Sequence, residues 1–150
     1  MKRLLLALPA LLLPALLLPA AADLPIQPGK WQSVVTILDM QSPNMPPGVG
    51  AAMRAHPTTV TACVTAAQAA DGPRSVIANS HGKCHFTSFS TAGGRINSVM
   101  QCAFATGTMT VTSTGSYTPT MMDVTGSSVT TGRMIMRSKT HSVSRRVGAC

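Results

Sequence analysis

The chain reads as a mainly β protein, built as an antiparallel, strongly curved sheet or a sandwich with one short helix and two disulfides. Three observations predict this. The first 22 residues hold 10 of the 12 leucines, whereas residues 23–150 hold 12 Val, 5 Ile, 18 Thr and 14 Ser against 2 Leu. β-Branched side chains lose rotamer freedom in a helix and pack well on a pleated surface, so an all-helical fold is disfavoured. Alternating runs separated by Gly-containing breaks recur through the second half of the chain, as antiparallel sheets require. Finally, four cysteines in 150 residues, Cys63, Cys84, Cys102 and Cys150, read as a disulfide framework of an oxidising compartment.

The leader sets the expected compartment. Lys2 and Arg3 form a basic start, residues 4–18 an apolar core, and Ala20-Ala21-Ala22 the small residues that a signal peptidase reads. Residues 1–22 are therefore expected to be a signal peptide and residues 23–150 a single β-rich, disulfide-stapled domain, periplasmic or secreted. Pro9, Pro14 and Pro19 interrupt the apolar stretch, which argues against a retained anchor, and no transmembrane segment is expected after cleavage. The formal charge of +8 falls to +6 once Lys2 and Arg3 are removed, a mild excess.

Along residues 23–150, the run 31–40 (WQSVVTILDM) predicts a first strand, and the proline-rich 41–50 (QSPNMPPGVG) a surface loop. A second strand is expected over 58–64 (TTVTACV). Thr65-Ala66-Ala67-Gln68 then matches a capping box opening a helix that Gly72-Pro73 stops after about two turns. Gly93-Gly94 marks a hairpin turn, and folding about residue 93 pairs Cys84 with Cys102, Phe86 with Met100 and Ser88 with Ser98 on one face. His85, Thr87, Asn97 and Gln101 fall on the other face. Strands are expected at 108–114, 116–124 and 129–137, with breaks at Gly115 and at 125–128, and a last run spans 139–147. Three cysteine pairings are possible in principle. The hairpin register selects Cys84 with Cys102, which leaves Cys63 with Cys150.

The order of motifs is recognisable: Pro28-Gly29-Lys30-Trp31, Asn44-Met45-Pro46-Pro47, Cys63-Val64-Thr65, Cys84, Met100-Gln101-Cys102, Gly115-Ser116-Tyr117 and Arg146-Val147-Gly148-Ala149-Cys150. It resembles the proteobacterial family of exported proteins called domain of unknown function 3617. The resemblance covers essentially all of residues 23–150, and the four cysteines with the terminal Gly-x-Cys are its most specific part. Gln32 departs from the acidic residue usual after the family's tryptophan. What the resemblance implies is a periplasmic or cell-envelope location, with no assigned activity, ligand or catalytic residue.

Chemistry-bearing residues are few. The four carboxylates are Asp23, Asp39, Asp71 and Asp123, with Asp39 and Asp123 expected at strand ends. There is no Glu and no Gly-x-Ser-x-Gly elbow, and disulfide bonding removes thiolate nucleophiles, so a catalytic role is not expected. Thioether and imidazole suit Cu(I), which makes a periplasmic copper-binding protein the alternative, with Met134, Met136, Met121, Met122, His81 and His85 as candidate ligands. Methionine also fills cores that lack leucine. Arg133, Arg137, Lys139, His141 and Arg145 share odd numbers, so an unbroken strand would align them as a basic stripe facing anionic envelope components. With no phosphate-binding loop and scarce aromatic residues, neither a nucleotide nor a nucleic acid is expected as ligand. The reading is therefore a non-catalytic binding or structural module of the envelope. N-terminal sequencing of the protein from an envelope fraction is expected to start at Asp23; an intact Met1 would refute the leader assignment.

Overall fold

The structure, a computed structural model, describes residues 26–150 apart from the side chains of residues 76–79. The expected signal peptide at 1–22 lies outside the described residues. Seven strands, β1 (Gly29–Gln41), β2 (Thr58–Val64), β3 (Cys84–Ser90), β4 (Arg95–Phe104), β5 (Gly107–Thr118), β6 (Met121–Gly132) and β7 (Met136–Gly148), form one antiparallel sheet in the order β2-β1-β7-β6-β5-β4-β3. Among the described residues all seven strands belong to this one open sheet.

Two α-helices rather than one are present among the described residues. Val49–Ala55 forms α1 inside the β1–β2 connection, overlapping the expected loop at 41–50 only in Val49 and Gly50. Its prolines, Pro43, Pro46 and Pro47, all precede the first turn, so nothing in Val49–Ala55 breaks the helix. Ala66–Ala70 forms α2, opened by the expected capping box. The Gln68 amide donates to the Thr65 hydroxyl at 3.2 Å, and the Thr65 amide to the Gln68 side-chain oxygen at 2.9 Å. The chain then continues past Gly72-Pro73 as a 3₁₀ segment, Gly72–Ser80. Since β2 and β3 are the two edges of the sheet, residues 65–83 must travel from one edge to the other.

That crossing defines the buried face. Register places Trp31, Val64, Met122, Val124, Tyr117 and Ile96 on the same side of the sheet. Ile26 from the lead-in and Ala69 from α2 complete the cluster. Its polar atoms are paired: the Trp31 indole donates to the Gln27 carbonyl at 2.9 Å, and the Gln27 amide donates to the Pro119 carbonyl at 2.7 Å. Further along this face serines pair across strands, Ser33 with Ser144 at 2.7 Å and Ser128 with Ser138 at 2.8 Å.

The β3–β4 hairpin turns at Gly93-Gly94, whose φ values of 64° and 72° suit glycine. Cys84 is bonded to Cys102, and Phe86 opposes Met100, as expected. Beyond that the register slips, because a bulge at Thr87 sets Ser88 opposite Val99 and Phe89 opposite Ser98. Phe89 therefore replaces Ser88 on the disulfide face, with its ring centroid 4.7 Å from that of Phe86 and the Arg74 guanidinium 4.6 Å above it.

The breaks expected at Gly115 and at 125–128 are not breaks. β5 runs through Gly115 and β6 through 125–128, while the turns fall at residues 119–120 and 133–135. A Cβ at Gly115 would overlap the main chain of Asp123 and Val124, so the glycine there allows the close approach of β5 and β6. Asp123 accordingly lies inside β6, not at a strand end.

Trp31, the only tryptophan, is 3% exposed, so its fluorescence is expected to be blue-shifted in the folded protein. Trp31→Ala is expected to lower the unfolding free energy by about 3–5 kcal/mol, read as a lower urea midpoint at unchanged slope. Emission like that of free indole would contradict the packing.

Candidate functional site

The face opposite the core is where polar chemistry collects. Alternation puts Thr108, Thr110, Thr112, Thr114, Ser116 and Thr118 of β5 on this side as one hydroxyl column. Register aligns two rows across the strands. One runs Arg95, Ser116, Asp123, Val143; the next runs Asn97, Thr114, Thr125, His141. The His141 Nε2 hydrogen-bonds the Asp123 carboxylate at 2.8 Å and ties the rows together. Between them lies an open depression of about 340 Å³ lined by Arg95, Asn97, Thr114, Gly115, Ser116, Asp123 and Thr125. Every lining group is a strand residue, so the donors and the one carboxylate are held by a hydrogen-bonded ladder instead of a loop. A second, apolar hollow lies between the lead-in at Ile26–Pro28, the α2 alanines Ala66, Ala69 and Ala70, and Pro119, with no ionisable group in it.

The expected basic stripe is formed by four of its five members. β7 pairs with β6 without interruption, so Arg137, Lys139, His141 and Arg145 share the polar face. The register shift on the other side of β7 falls in β1, between Ile37 and Asp39, and leaves β7 regular. Arg133 lies in the turn at 133–135, outside the strand. Asp39 stands opposite Lys139 and Asp123 contacts His141, so both acidic neighbours of the stripe sit beside its centre. Arg95 joins the same face from β4.

The six expected copper ligands are dispersed. Met121 opposes Arg145 at one end of the β6–β7 ladder, whereas Met136 opposes Thr130 at the other, and Met122 packs on the core face. Met134 is in the exposed turn, His81 precedes β3, and His85 lies on β3, four strands from β7. The antiparallel register separates Met121-Met122 from Met134 and Met136 by the length of the strands. Among the described residues no three or more His, Cys or Asp side chains gather in a way that could hold a metal ion. No described helix is long and apolar enough to cross a membrane.

Cys63 and Cys150 are brought together but are unbonded and exposed. Lys30 opposes both Cys63 and Gly148, which brings the end of β7 beside the end of β2. Hydrogen bonding to the Cys63 thiol raises the Cys150 pKa above the ordinary thiol value, outweighing the opposite pull of Arg146.

The sequence profile of one family, described as a protein of unknown function (DUF3617), matches residues 26–150. The chain belongs to this family. The match spans the whole of the described structure, including the four cysteines, Trp31 and both rows of the polar face. Comparison with curated proteins and with solved structures finds no match.

Of the residues around the depression, Asn97, Ser116 and Asp123 stand out in the sequence only as a hairpin position, part of a motif and one of four carboxylates, and Arg95, Thr114 and Thr125 do not stand out at all. Their one signal was alternation, and the strand breaks expected at Gly115 and 125–128 hid the register that joins them. A raised pKa keeps more of Cys150 as thiol, so alkylation of the reduced protein at mildly alkaline pH is expected to be slower at Cys150 than at an unstructured cysteine. Cys63→Ala removes the hydrogen bond and is expected to speed it; an unchanged rate would contradict the contact.

Proposed function

We propose that this protein is a non-catalytic binding module of the cell envelope that holds phosphate-bearing anionic components on the polar face of its sheet. The observation that carries this reading is that Arg95, Arg137, Lys139 and Arg145 share one exposed face with a depression that Arg95 itself lines together with the Asn97 amide and the Thr114, Ser116 and Thr125 hydroxyls. Phosphate oxygens accept charge-assisted hydrogen bonds from guanidinium groups, and hydroxyl and amide donors complete their coordination. Asp123 and His141 add acceptors for the hydroxyls of a polyol attached to the phosphate. Against catalysis stands the order of side chains, because Asp123 lies between Ser116 and His141. A Ser-His-Asp triad places the imidazole between the hydroxyl and the carboxylate.

The leader with its alanine triplet supports export to the periplasm or beyond. In that oxidising setting we read Cys63 and Cys150 as a second disulfide, which ties the end of the chain to β2 and adds to the bond already formed by Cys84 and Cys102. The core cluster, reaching from Trp31 on β1 to Ile96 on β4, supports a sheet coiled around its apolar side.

Vesicle flotation distinguishes the sources of the phosphate. Binding to phosphatidylglycerol vesicles and not to phosphatidylcholine, at low ionic strength, is the expected result for a lipid headgroup. Titration calorimetry with glycerol phosphate and with polyphosphate tests the soluble arm. Arg95→Ala together with Arg145→Ala is expected to weaken whichever binding is seen at least tenfold, and added salt to weaken it further. Failure to bind all three at low salt would overturn the proposal.

A further inference from the structure

The two edges of the sheet are treated differently. The β3 edge is bulged at Thr87 and approached by the 3₁₀ segment, whose Arg74 stacks on Phe89. Bulging and covering are how sheets block unwanted strand addition. The β2 edge has neither device. Its seven residues, TTVTACV, include no charge, proline or glycine, its register with β1 is unbroken from Gly29↔Val64 to Val35↔Thr58, and all but Val64 are exposed. Among the described residues no main-chain group outside β1 bonds to the free side of this strand. An uncharged, flat edge of this length in so basic a chain is a template for another strand.

We propose that β2 pairs antiparallel with β2 of a second copy, joining two seven-stranded sheets into one continuous sheet. A two-fold axis at Thr61 uses the whole strand. It sets Thr61 opposite its own copy, Val60 opposite Ala62, Thr59 opposite Cys63 and Thr58 opposite Val64. Such a two-fold stands perpendicular to the sheet, so each face continues as itself. Val60, which is 51% exposed in the single chain, gains an apolar neighbour on the core side, and the threonines meet threonine and cysteine on the polar side. Charge does not oppose the pairing. The β7 stripes of the two copies are five strand spacings apart, about 24 Å at about 4.8 Å each, well beyond a Debye length of about 8 Å at physiological ionic strength. This inference does not depend on anion binding, since the edge and the polar face are separate surfaces.

Sedimentation velocity of the purified protein is expected to show a monomer–dimer equilibrium over the low to high micromolar range. Thr61→Pro is expected to raise the dimer dissociation constant at least tenfold, and Val60→Lys, at an exposed position that leaves the fold intact, to do the same. In a Cys63→Ser, Cys150→Ser background, Thr61→Cys is expected to give a disulfide-linked dimer on mild oxidation, because only residue 61 faces itself. A protein that stays monomeric throughout overturns the proposal, as does a dimer unaffected by Val60→Lys. Monomer combined with capture of a synthetic TTVTACV-like extended peptide assigns the edge to a foreign strand instead and equally refutes the homodimer.

Discussion

A single sheet has one apolar layer to hide and no second sheet to hide it with. Here the covering is done by residues 65–83, the one connection that joins the two edges of the sheet. Ala69 of α2 is buried in one cluster with Ile26, Trp31, Ile96 and Tyr117, and this contact with the sheet fixes where the connection lies. Much follows from this contact. It decides which face is buried, it leaves the opposite face to water along every strand, and it brings Arg74 over Phe89 at the far edge. Alanine at 69 suits the role, because a short side chain lets the helix settle close to the buried cluster.

The covering is economical, and the sheet is composed accordingly. The buried apolar cluster is small and sits at the Trp31 end, Cys102 and Thr130 are buried separately toward the other end, and serines and a glycine line the middle of the same face. Those serines satisfy one another in pairs instead of awaiting an apolar partner, so partial cover leaves no buried side-chain polar atom without a partner among the described residues. The polar face has the opposite composition, long donors at its periphery and hydroxyls at its centre, and its geometry is inherited from the ladder beneath it.

Much of this was legible in the sequence where local chemistry decides. Thr65 and Gln68 announced their capping box, Gly93-Gly94 their turn, and Cys84 and Cys102 their bond, since each depends on residues close in sequence. The odd-numbered basic residues of β7 were legible for the same reason, a strand's period being two. What was not legible depends on other strands. Gly115 reads as a break in isolation and becomes a point of close approach only once Asp123 and Val124 are beside it. The bulge at Thr87 places Phe89 beside Phe86, a gain in aromatic packing that a simple fold about residue 93 does not anticipate. The polar rows needed three registers at once, and the Met and His positions needed the ends of the ladder, so neither was within reach of spacing alone.

The strand order carries a kinetic consequence. β1 lies between β2 and β7, so the first strand finds one of its two partners only in the last. β3 to β7 form a chain of hairpins that can zip locally, whereas the β1–β7 ladder, from Lys30↔Gly148 to Gln41↔Arg137, closes a loop of nearly the whole domain. Loops of that length close late, and strands waiting for them stay unpaired. A ribosome that still holds Met136–Gly148 therefore holds a chain that has not committed to its fold. Residues 65–83 cannot seal the apolar face until β1 has been fixed in place, so the order of events runs from hairpins, to ladder closure, to covering.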